Sequence, residues 1–264
     1  MTNDPSLAEI KGVAKLTKKE SRSETGLFLL EGPQGLKEAL NRPKLIEKIF
    51  ATASFEEKYS ELLTRARESR VAVTIVSDSV LKDLSDTTTP QGVVAVCQQF
   101  HVLLEDVIEA KPKLIAFLAQ IRDPGNAGTV LRAADAAGAD AVVFSKGSVD
   151  IYNPKVVRST TGSIFHLPFV IEADIEASLT KFKQAGLTVL AADVAGESLS
   201  KISQSALSAP TLWLFGNEAW GLEPEVAKLA DQLVQVPIFG AAESLNLATA
   251  ASVCLYASAF AQNN

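Results

Sequence analysis

The chain has few cysteines and no long apolar run, and both absences limit what it can be. Its 264 residues include two cysteines, Cys97 and Cys254. Two thiols cannot build a disulfide framework or a cysteine-rich metal site, and each lies in an apolar run that favours a buried, structural role. No segment reaches the roughly 18 uninterrupted apolar residues of a membrane span, and no apolar signal segment precedes the first motifs. The sequence therefore predicts a soluble, cytoplasmic protein.

The glycine motifs of common nucleotide-binding enzymes are also missing. Neither Gly-x-Gly-x-x-Gly nor Gly-x-x-x-x-Gly-Lys-Ser/Thr occurs at an expected strand-to-helix turn. This absence argues against a nucleotide-dependent α/β enzyme.

The chain has no excess of positive charge, because 31 Asp and Glu residues outnumber 25 Lys and Arg residues and give a net charge of -6. Dedicated nucleic-acid binders are often basic. A local basic run near the N-terminus contains Lys15, Lys18, Lys19 and Arg22. Taken alone, this run is either a solvated helix face or an RNA contact.

The hydrophobic pattern divides the chain near residue 100. With 47% hydrophobic residues, the chain can bury one large core or two modest ones. Residues 1–100 alternate strand-like and helical patterns and are predicted to form a small αβα domain. Residues 101–112 are acidic and are predicted to be a linker. Residues 113–264 are predicted to form an α/β domain with a largely parallel sheet and helices on both faces. Its predicted strands are 114–119, 141–144, 169–171, 187–192, 212–215 and 233–236.

Three segments of the second domain each combine a strand end, a turn and a helix start. They are Asn126–Arg132, Leu214–Leu222 and Val236–Tyr256. At the carboxyl edge of an open α/β sheet, such segments build a small-molecule pocket. Asn126 and Ser244 are predicted to cap the helices that follow them, and Arg132 is predicted to point away from the sheet.

The second of these segments, Leu214–Leu222, contains a candidate acidic residue and a tryptophan. Gly216 permits a positive φ and the close approach of a ligand to the backbone. Glu218 is either a first-turn carboxylate favoured by a helix dipole or a residue of the site. Trp213 and Trp220 are interpreted as packing residues, and a base-stacking role stays open for Trp220.

Together the three segments resemble the motifs of the SpoU/TrmH branch of the SPOUT methyltransferases. These enzymes transfer a methyl group from S-adenosylmethionine to a ribose 2'-hydroxyl of RNA. Upstream, Lys15–Arg22, Gly26–Gly32 and Ser85–Val96 look like the accessory RNA-binding domain of many members, so the resemblance covers nearly the whole chain. It implies a deep trefoil knot in the C-terminal domain and a homodimer whose active sites draw on both subunits.

The resemblance also implies roles for individual residues. The expected catalytic residues are Asn126, Arg132, Glu218, Ser244 and Asn246. The residues expected to contact S-adenosylmethionine are Leu214, Gly216, Asn217, Val236, Ile238 and Leu245. The residues expected to contact RNA are Lys15, Lys18, Lys19, Arg22, Arg158 and Ser163. No metal is expected, because methyl transfer from a sulfonium needs none and the sequence has no metal-ligand cluster.

The chemistry expected of such a site limits the role of its arginine. A 2'-hydroxyl is a poor nucleophile, so the site must align it and favour loss of its proton. The two histidines, His101 and His166, lie outside the motifs. Because a guanidinium is essentially always protonated, Arg132 is predicted to stabilise the developing alkoxide rather than to act as a base.

The substrate that follows from the resemblance is RNA. Ribosomal RNA is favoured over transfer RNA, because an accessory domain adds a second RNA contact. The alternatives are a transfer RNA 2'-O-methyltransferase and a noncatalytic RNA-binding or ribosome-assembly protein. Retention of the expected catalytic residues argues against the noncatalytic alternative.

Overall fold

The computed structural model describes residues 5–263 and divides them into two compact units. Unit 1 contains the described residues up to Phe100 together with Asp150–His166. Unit 2 contains His101–Val149 and the described residues from Leu167 onward. The sequence-based division has one boundary near residue 100, and it misses the return of Asp150–His166 to unit 1.

Strands and helices alternate along most of the chain. The strands are β1 (Leu27–Glu31), β2 (Ile46–Thr52), β3 (Ala72–Val76), β4 (Val93–Gln98), β5 (Leu114–Leu118), β6 (Ala141–Ser145), β7 (Phe169–Ala173), β8 (Thr188–Ser198), β9 (Thr211–Phe215) and β10 (Gln232–Gln235). The α-helices are α1 (Leu7–Ala14), α2 (Lys19–Thr25), α3 (Pro33–Ala39), α4 (Ala53–Lys58), α5 (Ser60–Glu68), α6 (Asp78–Leu84), α7 (Leu104–Glu109), α8 (Pro124–Ala136), α9 (Pro154–Thr160), α10 (Ile175–Gln184), α11 (Gln204–Ser208), α12 (Pro224–Ala227) and α13 (Leu247–Asn263). Within residues 5–263, none of these helices has the length and apolar composition needed to cross a bilayer.

Unit 1 is built on a four-stranded sheet in the order β1-β4-β2-β3. Strand β4 pairs antiparallel with β1 and β2, whereas β3 pairs parallel with β2. Alternate side chains of a strand point to the same face. Leu29, Phe50 and Val94 accordingly meet Leu81 and Leu84 of α6 in one hydrophobic core.

The returning segment Asp150–His166 completes unit 1. The rings of Tyr152 and Phe165 form an aromatic cluster with Phe28. The ring centre of Tyr152 lies 5.0 Å from that of Phe28, and the ring centre of Phe165 lies 6.4 Å from that of Phe28. Beside this cluster, Arg22 donates from Nε and Nη2 to the carboxylate of Asp150, at 2.9 and 2.5 Å. Arg22 is only 2% exposed, so this ion pair lies inside the unit.

Unit 2 is built on a six-stranded parallel sheet in the order β10-β8-β9-β5-β6-β7. All six strands predicted from the sequence occur. Strands β5 and β9 are buried along their full length, as expected for parallel strands covered by helices on both faces. On one face, the indole of Trp213 donates to Ser258 Oγ of α13 at 2.9 Å.

The segment predicted to be a linker is instead an ordered part of unit 2. Residues 104–109 form α7, and Val107 is buried in the core of this unit. Lys181 Nζ donates to Glu105 Oε1 at 2.6 Å, and this bond lowers the pKa of Glu105. The acidic composition therefore marks the solvent face of a short helix rather than a linker.

The two cysteines are structural, as their apolar surroundings predict. Both thiols are unbridged and buried. Burial raises the pKa of the Cys97 thiol well above its usual range, and it raises that of Cys254 to about 12. Because the thiolate is the reactive form, neither thiol is poised for redox chemistry.

Candidate active site

A pocket opens at the carboxyl ends of β9 and β10, beside β8. Its volume is about 550 Å³, within the range of small-molecule sites. The pocket is lined by residues 192–194, 215–221, 234–236, 238, 244–247 and 250, together with Asn126. Parts of all three sequence motifs therefore meet in one cavity.

Asn126 links the first motif to the other two. The helix α8 begins at Pro124, and its N-cap is Asp123, whose Oδ1 accepts from the backbone N–H of Asn126 at 2.7 Å. The prediction that Asn126 is the cap was therefore wrong. Because Asp123 caps the helix, the Asn126 side chain can donate to Glu218 Oε1 at 3.4 Å and accept from Asn246 Nδ2 at 2.9 Å.

Glu218 holds the second motif against the first. No helix begins at this residue, so it is not a first-turn carboxylate; residues 217–221 form a loop closed by a bridge between Asn217 and Gly221. The Glu218 carboxylate accepts from the backbone N–H groups of Arg122 at 3.2 Å and Asp123 at 3.0 Å. With Asn126 as a third donor, the carboxylate is a positioning group rather than a base.

Asn246 brings the third motif into the same network. Its Oδ1 accepts from the backbone N–H groups of Ala248 at 2.9 Å and Thr249 at 3.3 Å. Asn246 therefore caps α13, and the prediction that Ser244 is the cap was wrong. Ser244 instead lines the pocket two residues earlier. A continuous polar network now runs from the turn after β5 to the start of α13.

A glycine is required at position 216 because other backbone atoms of the chain lie very close to it. Its φ is not positive, so the expectation of a positive φ was wrong, whereas the close approach of a ligand stays a prediction. A Cβ at this position would lie 2.5 Å from the carbonyl oxygen of Gly221 and 2.5 Å from the backbone nitrogen of Leu222. These are backbone atoms, so they cannot move aside without opening the 217–221 loop.

Replacing Gly216 with alanine is expected to weaken S-adenosylmethionine binding about tenfold and to destabilise the fold by about 1–3 kcal/mol, the usual cost of overpacking. Isothermal calorimetry and thermal unfolding measure the two effects. Gly240→Ala is the matched control, because a Cβ there meets nothing within 4 Å. Equal behaviour of the two variants would contradict the crowding at Gly216.

The residues of the pocket fit an adenosine-containing cofactor. Val236, Ile238 and Leu245 supply apolar side chains, and the surrounding loops offer backbone N–H and C=O groups. The Asn217 side chain lies in the lining but bonds within the protein, donating to the Gln120 carbonyl at 2.7 Å and accepting from Ala219 N at 2.8 Å. Leu214 is fully buried in β9 and does not line the pocket.

Arg132 lies away from the pocket of its own chain. It is exposed on α8, whose opposite side buries Ala127, Val130 and Leu131, and it does not line the cavity. None of the described lining residues is a lysine, arginine or histidine. Within residues 5–263, no group of three or more His, Cys, Asp or Glu side chains is arranged to hold a metal ion.

Unit 1 contains the residues predicted to bind RNA, and they have different environments. Lys15, Lys18 and Lys19 are exposed. Arg22 is buried against Asp150, which contradicts an RNA contact.

Arg158 and Ser163 also differ from the sequence prediction. Arg158 donates from Nη1 to Glu31 Oε1 and from Nη2 to Asp86 Oδ2, both at 2.8 Å. Ser163 is buried. Arg158 thus binds two carboxylates instead of the predicted phosphate. Ser163 has little accessible surface with which to contact a phosphate.

The sequence did not indicate a role for Arg122 at the pocket, and it favoured packing for Trp220 while leaving a base-stacking role open. Trp220 is 48% exposed and lines the cavity, whereas Trp213 is fully buried. The packing interpretation was therefore right for Trp213 and wrong for Trp220. The guanidinium carbon of Arg122 lies 5.1 Å from the centre of the Trp220 ring. The position of Trp220 in a loop outside any strand was a signal against core packing.

Comparisons with known proteins agree with this geometry. The model of the SpoU rRNA Methylase family matches residues 113–256, and that of the MRM3-like substrate binding domain matches residues 8–95. The chain is 33% identical to "23S rRNA (guanosine(2553)-2'-O)-methyltransferase RlmP" of Bacillus subtilis over 249 residues, which cover 94% of each protein.

Two solved structures are similar over almost the full chain. An AdoMet-bound rRNA methyltransferase from Sinorhizobium meliloti has a TM-score of 0.83 and 30% identity, covering 97% of this chain and 96% of that one. The SpoU methyltransferase AviRb from Streptomyces viridochromogenes, in complex with AdoMet, has a TM-score of 0.82 and 27% identity, covering 96% and 98%.

Proposed function

The chain belongs to the SpoU rRNA methylase family, and on that basis we propose that it transfers a methyl group from S-adenosylmethionine to a ribose 2'-hydroxyl of ribosomal RNA. The observation that carries this proposal is the polar network of Asn126, Glu218 and Asn246. It joins three motifs that are far apart in the sequence around one pocket that fits the cofactor. A noncatalytic protein would not need this arrangement.

Each part of the pocket has a distinct task in the proposed reaction. When bound, S-adenosylmethionine would supply a methyl carbon that is electrophilic without a metal because it is bonded to a positively charged sulfur, and S-adenosylhomocysteine would be the leaving group. Val236, Ile238 and Leu245 would pack against the adenosine, and loop backbone groups would bind its polar edge. The network through Glu218 and Asn246 holds the loops so that the ribose hydroxyl is aligned with the methyl group.

Transfer of labelled methyl to separate pools of unmodified RNA tests this function. Purified protein is incubated with labelled S-adenosylmethionine and either 23S rRNA transcript or transfer RNA transcripts. We expect label in the 23S rRNA. Label in transfer RNA alone would favour the transfer RNA alternative, and cofactor-independent RNA binding without transfer to either pool would favour the noncatalytic one.

We propose that Arg132 acts in the pocket of a second copy of the chain. Its exposed position outside its own pocket supports this arrangement, as does an apolar stripe on α13. Val253, Tyr256 and Phe260 are exposed there, and the Tyr256 hydroxyl donates to the Ala136 carbonyl of α8 at 3.1 Å. A contiguous exposed apolar surface is typical of an interface, and a homodimer through this stripe would involve the helix that carries Arg132.

Mixing two inactive variants tests whether Arg132 acts across subunits. Arg132→Ala keeps an intact pocket, and Glu218→Ala keeps the arginine. If the arginine acts on the partner, their mixed dimer contains one complete site, so activity returns on mixing. Native mass spectrometry verifies that mixed dimers form, and circular dichroism verifies that both variants fold. Mixed dimers without activity, or a monomeric wild-type protein, would contradict the proposal.

We propose the RNA-binding role for residues 1–100 and the catalytic role for residues 113–264. The substrate binding domain match over residues 8–95 supports the first role, as do the exposed Lys15, Lys18 and Lys19. The pocket in unit 2 supports the second. A cytoplasmic location follows from the proposed ribosomal RNA substrate.

We also propose the trefoil knot that family membership implies. Its support is the close approach of Gly196 to β10, where a Cβ would lie 2.6 Å from the Leu233 carbonyl oxygen and the pairing of β8 with β10 shifts register. The last helix, α13, buries mostly small side chains, including Ala248, Ala251 and Cys254. Small side chains allow the neighbouring backbone to approach closely.

A further inference from the structure

Trp220 is an exposed aromatic ring at the rim of the proposed active site. It lines the same pocket as Glu218 and Asn246, and nearly half of its surface is accessible. A solvent-exposed indole is a ready surface for ligand contact, because tryptophan offers a large flat face at little conformational cost. The guanidinium of Arg122 lies over this ring, so the rim also carries positive charge that the lining lacks.

The ring is carried by a loop that is held in place. Asn217 N donates to the Gly221 carbonyl at 2.8 Å, and Gly221 N donates to the Asn217 carbonyl at 2.9 Å. The buried Asn217 side chain also bonds to Gln120 and Ala219. These bonds fix the position of Trp220 relative to Glu218, which lies two residues earlier in the same loop.

The backbone of Arg122 is also held in place at the rim. Its backbone N–H donates to Glu218 Oε2 at 3.2 Å, so one carboxylate connects the loop of Trp220 with the turn of Arg122. The Arg122 side chain is exposed. It can therefore leave the ring face or remain stacked there when a ligand arrives, at little energetic cost.

We propose that Trp220 and Arg122 form a nucleobase platform for the RNA substrate. A base at or next to the methylated nucleotide stacks on the indole, and Arg122 provides a planar cation for the same base or its phosphate. Single-stranded RNA is commonly recognised by stacking on aromatic rings and arginine planes. The platform rests on the proposed function, because it assigns the substrate side of that site.

Kinetics with a 23S rRNA transcript test the platform. Loss of a stacked base by alanine substitution typically weakens binding about 5- to 100-fold, so Trp220→Ala is expected to raise the KM for the transcript by about that factor. Trp220→Phe should retain most of the affinity. The Kd for S-adenosylmethionine should stay the same in both variants, because the cofactor is assigned to other residues. Leu103→Ala removes an exposed apolar side chain of unit 2 outside the pocket and is the control.

Tryptophan fluorescence provides a direct readout of stacking. The chain has two tryptophans, and Trp213 is fully buried. Adding the transcript should therefore quench the emission of wild-type protein, and Trp220→Phe should abolish this quenching. A merely structural role for Trp220 would raise the KM of the alanine variant without producing RNA-dependent quenching in the wild type.

Two results would overturn the platform: an unchanged KM for Trp220→Ala, or equal quenching in wild type and Trp220→Phe. Failure of the proposed function has a different signature. In that case wild-type protein transfers no methyl group to any RNA pool, while quenching still reports whether RNA stacks on Trp220.

Discussion

Replacing Arg132 with alanine is expected to lower kcat for methyl transfer by about 10²- to 10³-fold, the usual effect of removing one group that stabilises developing negative charge. The proposed role of Arg132 is to stabilise the alkoxide that forms as the 2'-hydroxyl loses its proton. Arg132→Lys should retain part of the activity, because lysine keeps the charge but loses the planar set of donors. Single-turnover transfer to a 23S rRNA transcript measures the chemical step.

Two controls separate catalysis from other effects at Arg132. The Kd for S-adenosylmethionine should not change, because the group proposed to contact Arg132 is the ribose alkoxide and not the cofactor, which is assigned to other residues. Lys228→Ala removes an exposed cation elsewhere on unit 2 and should leave kcat unchanged. Wild-type turnover in both Arg132 variants would remove this residue from the mechanism.

Replacing Asp150 with alanine is expected to lower the free energy of unfolding by about 3–5 kcal/mol, the usual cost of breaking a buried ion pair from one side. The Arg22 guanidinium is 2% exposed and donates two hydrogen bonds to this carboxylate. Without the carboxylate, a positive charge stays buried with only the Leu16 carbonyl bond at 2.9 Å. Urea unfolding followed by circular dichroism measures the loss.

The control for Asp150 is an ion pair on the surface. Glu225 pairs with Lys228 at 2.8 Å, and both side chains are exposed. Glu225→Ala should cost under about 1 kcal/mol, as exposed pairs usually do. A loss of similar size in Asp150→Ala would mean that the Arg22–Asp150 pair contributes no more to stability than a surface pair.

The sequence predicts the strands of unit 2 well because buried parallel strands leave a strong signal. A strand covered on both faces needs apolar residues at nearly every position, and Leu114–Leu118 and residues 212–215 meet that condition. The same signal cannot give strand order. It also missed the long extension of β8 to Ser198, where polar residues replace the apolar run.

Helix caps are less predictable because good capping residues occur close together. Asp123 and Asn126 stand at the start of α8, and Ser244 and Asn246 stand before α13. Any of these side chains can accept from a helix N-terminus. The first helical residue decides which one does, and a sequence pattern does not fix that residue.

The environments of Arg22 and Arg158 depend on partners that the local sequence does not indicate. Asp150 is 128 residues from Arg22, and Glu31 is 127 residues from Arg158. Both arginines lie in polar, basic segments that look solvated when read alone. Their ion pairs follow from the return of Asp150–His166 to unit 1, which is a property of the topology.

The position of the transferred methyl group on the RNA is the most direct test of whether the protein methylates a ribose 2'-hydroxyl. Wild-type protein is incubated with labelled S-adenosylmethionine and unmodified 23S rRNA, and the RNA is digested to nucleosides for mass analysis. We expect label on a 2'-O-methylated ribose in wild-type samples and a strong loss of that label with Arg132→Ala. Label on a base, or bound cofactor without any transfer to RNA, would contradict it.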